Sequence, residues 1–498
     1  MNVSSRCVVG LLSVLLFISA STIVVLVERQ DTADRPTTTA SDKTGANEPS
    51  QVYRVVRVQD TEPTEGERAT QPIEELVVTP ERPATLEVMT DHGRFEYHID
   101  NTGQQEVSAA LQEVFDRVAA LKDTSATFEF LPGVYYIDAP LSIRLVSVEL
   151  RGSGHRGIDV HGMNLKSGAV FRFGKNTGPN CITFLAAGHS KSFPSGESPW
   201  NNRNYKIGVR GMTFVGYNNT GVDTASGYSR FRGDEPNFRG LHWYPAPDRY
   251  NDIDKEGQRA LVLTDGGGKC EMLAITDCVF TELYVGIETG SVDVCNITDS
   301  WFAQMAYGIR MRGHQPVLSI ENNCFADIET GVIVSGARMA NLNSNGFAYV
   351  SKCFELYNIT YSTLNHNTVD NWERSTGAAA HGGFCHIKGS KDLVMVGNSV
   401  RINIDARAKT VAVDEEPNGR AFVNIENATN LMMANNVFDT IQTQTVVRLH
   451  NVSHSAILDN LIHFGKGGNA VAQTGNSTGN TYRPLNPAQS ASFDQWVE

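Results

Sequence analysis

The feature that most constrains this chain is a short motif that returns at a nearly fixed interval between Cys270 and Phe464. It reads Ile-Thr-Asp277-Cys278-Val-Phe, Ile-Thr-Asp299-Ser300-Trp-Phe, Ile-Glu-Asn322-Asn323-Cys-Phe, Leu-Asn-Ser344-Asn345-Gly-Phe and Leu-Asn-His366-Asn367-Thr-Val, then more loosely around Asn398, Asn436 and Asn460. The first five copies are 22, 23, 22 and 22 residues apart. A unit that short cannot bury an apolar face alone, so the copies must stack on one another. Each holds short runs of Ile, Val, Leu and Phe between polar turns, without a helical period, which is strand chemistry. The expectation is an all-β, right-handed parallel β-helix. Asn323, Asn345, Asn367, Asn398, Asn436 and Asn460 form a structural ladder in it, because an amide has donors and acceptors for both the bent backbone and the neighbouring amide.

The chain has 498 residues, 41% of them hydrophobic, enough for one large solenoid with appendages. A net charge of -13 argues against nucleic acid and against a basic groove for polyanionic polysaccharides, and favours a neutral substrate. The 8 cysteines show no Cys-x-x-Cys pair and no His-rich spacing, so no metal or other cofactor is expected, and the cysteines within the coils read as buried thiols.

Residues 1–29 contain an uncharged apolar run, Cys7 to Val27, expected to take the protein out of the cytoplasm as a signal peptide or a membrane anchor. Residues 30–85 turn to Thr, Glu, Asp and Pro and are expected to be a disordered linker. The β-helix domain is placed at 86–486, with a loose tail at 487–498. An amphipathic helix from about Gln104 to Lys122 is expected to cover its open first coil. Two long excursions, about Ala187 to Tyr205 and Gly216 to Gly257, carry aromatics including Trp243; a third, Asp370 to Gly382, carries Trp372. Aromatic faces of this kind either line a sugar site or pin the loop to the coil wall.

Chemistry on a β-helix belongs to its outer wall, since the inside is packed. Acids in the coils include Asp277, Glu282, Glu288, Asp299, Asp327 and Glu329, with Arg310, Arg312 and His314 nearby. Metal-free glycoside cleavage needs one carboxylic acid to protonate the leaving oxygen and one carboxylate as base or nucleophile. Composition alone does not choose the pair.

The stretch Ile275-Thr-Asp277-Cys-Val-Phe-Thr-Glu282-Leu-Tyr-Val-Gly-Ile-Glu288-Thr-Gly290 resembles the catalytic coil of the inulin fructotransferases, in which an Asp is followed by Glu five and eleven residues on and then by Thr-Gly. Pro132-Gly-Val-Tyr-Tyr, Val148-Glu-Leu-Arg-Gly-Ser-Gly-His155, Leu364-Asn-His366-Asn367, His386-Ile-Lys-Gly389 and Thr445-Val-Val-Arg-Leu are also similar to that family, over about Asn101 to Pro484. The insertion from Gly216 to Gly257 departs from it. The resemblance implies a homotrimeric β-helix enzyme that releases cyclic difructose dianhydride from inulin by intramolecular fructosyl transfer, with Asp277 and Glu288 as catalytic acids. Glu288 is expected as proton donor and Asp277 as base or stabiliser. Glu282, Asp299, Arg310, Trp243, Trp372 and His386 are the expected sugar contacts. Eleven residues is half a circuit of such a coil, so the two acids are expected on different walls and to meet across a subunit interface. Without the resemblance, Asp277 reads as a turn cap and Glu288 as a solvated strand residue. Competing readings are a hydrolase of difructose dianhydride, another lyase or glycoside hydrolase of the pectate-lyase-like group, and a surface solenoid that only binds glycans.

Overall fold

The computed structural model describes residues 85–121, 125–153, 158–159, 162–163, 168–187, 203–217, 257–263, 269–373, 383–404, 421–440, 445–463 and 469–485. The apolar leader, the linker, the tail and the interiors of the three excursions, Trp243 among them, lie outside these residues.

The described chain winds as a parallel β-helix, each coil contributing strands to three stacked sheets. In the coil of Asp277 these are Lys269–Thr276, Val279–Thr281 and Val285–Thr289. The next coil places Val292–Thr298 on the first sheet and the single strand Trp301–Met311 on the second and third, bent at Gln304 with a φ of 56°. Parallel pairing in register then repeats coil by coil, so a residue's row in the wall follows from the repeat alone.

Two columns explain the motif. Its first polar position is a corner in left-handed backbone: φ is 57° at Asp277, 53° at Asp299, 58° at Asn322 and Ser344, 55° at His366, 69° at Gly397, 55° at Asn435 and 54° at Asp459. Gly, Asn and Asp tolerate that conformation best, which accounts for most of the column. Its second position is the ladder. Asn367 Oδ1 accepts from the Asn345 N–H at 3.0 Å and from Asn345 Nδ2 at 3.1 Å, while Asn367 Nδ2 donates to the Leu342 carbonyl at 2.9 Å. The same pattern runs from Asn323 to Asn460, all six buried, and is continued by Ser300 and Cys278 at the earlier coils.

Inside, Phe214, Phe280, Phe302, Phe325 and Phe347 stack with successive ring centroids 4.9 to 5.0 Å apart. They lie against a column of Gly286, Gly308 and Gly331, where a side chain would strike the ring or the next coil's carbonyl. The seven described cysteines are free thiols, six of them buried, and burial pushes those of Cys270 and Cys278 up to about 12.

The helix is shorter than its apolar pattern predicts, spanning Ser108–Ala119, because Thr102–Glu106 instead pairs with the strand Gly133–Ile137. It still covers the first coil: Phe115 packs edge-on to Phe128 at 4.9 Å, and the Gln112 amide bonds both Ser142 N–H (2.8 Å) and Ser142 C=O (2.9 Å).

Candidate functional site

Glu288 sits midway along the third sheet, in a row that reads Val262, Glu288, Arg310, Ile333, Glu355, His386, Asn424, Arg448 from coil to coil. Alternate strand residues point outward, and Glu288 is flanked by the buried Ile287 and Thr289. Its Oε2 accepts from Arg310 Nη2 at 2.7 Å and from Arg259 Nη1 at 2.9 Å, while Arg312 Nε stands 3.9 Å from Oε1. Glu288 and Arg310 are each 8% exposed, whereas the Arg312 side chain is 63% exposed. Burial pulls the carboxyl toward its neutral form, but the Arg310 hydrogen bond and the charges of Arg310, Arg259 and Arg312 outweigh that and hold it below its ordinary 4.5. The outcome is an ionised carboxylate with one anchored oxygen. Oε1 has no hydrogen bond among the described residues. Such a group is equipped to accept a proton, attack a carbon or stabilise a cation.

Asp277 occupies the corner between the first and second sheets of the same coil, partly exposed, and its N–H bonds the Thr298 carbonyl at 3.3 Å. Asp299 is the exposed residue one coil on at that corner, so it sits with Asp277 and not with Glu288. Glu282 is 3% exposed at the corner leading toward the third sheet, with φ 57°. Trp372 lies in the strand Thr368–Glu373 on the second sheet. His386 shares the row of Glu288 four rungs away, roughly 19 Å at about 4.8 Å per rung. Of the residues expected from sequence, the structure therefore brings together Glu288 and Arg310. Arg259, on the preceding rung, completes the set and was not anticipated. Its separation of 29 from Glu288 hides the relation, because the chain between holds more than one regular coil.

A second polar group surrounds His386. Lys352 Nζ donates to Glu355 Oε1, Tyr357 Oη donates to Glu355 Oε2 at 3.1 Å, and the Tyr357 and His386 rings meet edge-on at 5.9 Å. Glu426 accepts from Asn424 Nδ2 at 3.1 Å and lies 3.6 Å from His386 Nε2 and 3.7 Å from Lys388 Nζ. Burial lowers the His386 pKa and leaves the ring neutral near pH 7.

With this geometry in view, comparison with known proteins defines the class as a parallel β-helix. A family model described as periplasmic copper-binding protein (NosD) matches residues 251–400, under a third of the chain. A DFA-IIIase mutant from Arthrobacter chlorophenolicus A6, solved in complex with DFA-III, is similar at 12% identity with a TM-score of 0.56, covering 77% of this chain and 92% of that one. The same organism's DFA-IIIase with DFA-III gives 12% identity and 0.55 over 78% and 93%; without its lid and with GF2 it gives 12% and 0.54 over 77% and 92%. At that identity the likeness carries the fold. No curated protein matches in sequence. Among the described residues no three His, Cys, Asp or Glu are grouped to hold a metal ion, and the guanidinium groups around Glu288 repel a cation.

Proposed function

We propose that the protein is a carbohydrate-active enzyme of the β-helix class, acting on fructan as an inulin fructotransferase does, with Glu288 as its central carboxylate. The observation that carries this is the ionised Glu288, fixed through one oxygen by Arg310 and Arg259 on the outer wall. The resemblance of the Asp277 coil to the inulin fructotransferases adds the reaction type. A carboxyl held ionised is a poor proton donor, so the roles expected from sequence exchange. Glu288 Oε1 accepts the proton of the attacking fructose hydroxyl or stabilises the fructosyl cation, and Asp277 protonates the leaving oxygen. The attacking hydroxyl belongs to the neighbouring fructose: one glycosidic bond breaks, another closes the dianhydride ring, and the proton given by the acid is balanced by the one the base receives. Asp277 and Glu288 lie on different parts of the coil, so the pair is completed between subunits of a homotrimer, and a fully active monomer would overturn that step.

A hydrolase of difructose dianhydride is the second reading, favoured by the fold shared with DFA-IIIase; there the same carboxylates direct water. In both readings the protein acts outside the cytoplasm, as the apolar run Cys7 to Val27 and the periplasmic description of the matched family suggest. Residues 86–486 are the catalytic domain in this proposal. Incubation of the full chain with inulin and with difructose dianhydrides, followed by mass analysis, tests it. A dianhydride released from inulin supports the transferase, and disaccharide formed from dianhydride supports the hydrolase. Both readings fail if neither substrate changes, or if Glu288→Gln turns over at the wild-type rate.

A further inference from the structure

Three arginines surround Glu288, and only two of them bond it. Arg310 and Arg259 both donate to Oε2, and the Arg310 guanidinium also lies over the Tyr307 ring at 5.4 Å, so Arg310 is fully engaged. Arg312 stands on an equally well-tied backbone but makes no such bond. Its N–H donates to the Thr289 carbonyl at 2.9 Å. The buried Gln315 amide ties the corner that follows, donating to the carbonyls of Gly290 at 2.9 Å and of Arg312 itself at 3.0 Å. Met311 between the two arginines is buried, so both side chains leave the same outer face. Among the described residues the Arg312 side chain has no hydrogen bond, and its one ion pair is the 3.9 Å approach of Nε to Glu288 Oε1. A guanidinium that is 63% exposed adds little to stability at that range, and Arg310 and Arg259 already hold Glu288 ionised.

The gap between Arg312 and Glu288 has the size of one oxygen atom. It is too long for a direct hydrogen bond, yet a hydroxyl about 2.8 Å from both atoms bridges it, accepting from Nε–H and donating to Oε1. A ligand reaches both sides: Arg312 is exposed, and Oε1, which has no hydrogen bond, retains surface open to solvent. We propose that Arg312 is a catalytic residue, which together with Glu288 Oε1 holds the hydroxyl that attacks the anomeric carbon. This rests on the reading of Glu288 as the base of a fructan-active enzyme and adds the group that supports the nucleophile. As the O–H bond breaks, its proton passes to Oε1 and the oxygen's electron pair forms the new bond to the anomeric carbon. The old glycosidic bond breaks with its pair going to the leaving oxygen, which Asp277 protonates. Arg312 stays protonated throughout, and its charge stabilises the alkoxide character that develops on the attacking oxygen. A sugar hydroxyl fills the gap in a transferase and water fills it in a hydrolase, so the assignment holds for both.

The test compares the full chain as wild type, Arg312→Ala, Arg312→Lys and Glu288→Gln on whichever of inulin or difructose dianhydride the wild type converts. Arg312→Ala should lower kcat by about a hundredfold or more, with KM within about threefold and the far-ultraviolet circular dichroism spectrum unchanged. Guanidinium ion, added well below denaturing concentration, should recover about tenfold of that loss and should recover nothing in Glu288→Gln. Arg312→Lys keeps the charge without the planar donor, so its kcat should fall between alanine and wild type. The role of Arg312 is overturned if Arg312→Ala keeps kcat within about threefold of wild type, or if its loss appears in KM alone. It is also overturned if guanidinium ion recovers nothing and Arg312→Lys is as inactive as Arg312→Ala. A wild type that converts neither substrate removes the fructan-enzyme reading and this assignment with it, whereas an active wild type with an equally active Arg312→Ala removes the assignment alone.

Discussion

At the scale of single residues, the environment of Glu288 fixes what the carboxyl does. Removing it takes the shared carboxylate away from both Arg310 and Arg259. Gln keeps an oxygen for one of them, so Glu288→Gln is expected to cost about 1–3 kcal/mol, less than the about 3–5 kcal/mol of a buried pair broken outright. Turnover should fall by orders of magnitude while the circular dichroism spectrum is retained. The pH dependence has a definite sign. The folded pKa lies below 4.5, so Glu288 stabilises the fold above that pH and loses this contribution as pH falls through the folded value. Denaturation midpoints of wild type and Glu288→Gln should therefore converge below pH 4.5. The acid limb of kcat/KM should likewise lie below 4.5; a requirement for protonated Glu288 would instead abolish activity near neutrality. His386 has the same sign at higher pH. Its folded pKa is depressed below 6.5 mainly by burial, so acidification from 6.5 downward destabilises the wild type, and His386→Gln should flatten that slope.

Elements are where the sequence was most legible. A repeat near 22 residues with one Asn per copy specified stacked coils and a buried amide ladder, because both follow from counting alone. The corner column was less legible. Asp277, Asn322 and Gly397 share no side-chain chemistry, only tolerance of positive φ, so the repeat explains a corner at 277 and does not by itself single out the Asp277 carboxyl. Arg310 could be read from its offset of 22 from Glu288, whereas Arg259 sits across a stretched interval. The helix starts later than its apolar pattern predicts, because the pairing of Thr102–Glu106 with the sheet overrides local pattern. Asn367→Ala should orphan the Asn345 N–H and the Leu342 carbonyl inside the core, costing about 3 kcal/mol or more in chemical denaturation. Asn367→Asp should be no better, since it loses the donors and buries a charge. Glycines separate just as cleanly. A Cβ at Gly308 would lie 2.6 Å from the Gly331 carbonyl oxygen and 2.8 Å from the Phe325 ring, so Gly308→Ala should cost about 1–3 kcal/mol. At Gly346 nothing lies within 4 Å, and Gly346→Ala should be close to neutral or slightly stabilising.

For the described β-helix as a whole, stability is local along the axis, since each coil touches only its neighbours. Its ends then decide whether it stays in solution, because an open coil presents three unpaired strand edges. At the N-terminal end all three are closed by different means. The hairpin of Leu86–Thr90 and Gly93–Tyr97 pairs antiparallel with Ser125–Phe130, Thr102–Glu106 pairs with Gly133–Ile137, and Gln112 of the helix supplies donor and acceptor to Leu141–Ile143. The last device replaces a missing rung with one side chain. Gln112→Ala should thus remove about 1 kcal/mol and leave the association state unchanged, since the helix still shields the edge. Phe115→Asp acts differently. It places a charge where Phe115 packs on Phe128, and burying that charge is so unfavourable that the helix must leave the end of the solenoid. The exposed edge can then add strands from a second copy. Light scattering should show concentration-dependent growth of Phe115→Asp and not of Gln112→Ala; equal behaviour of the two would mean that the helix is not what keeps this end closed.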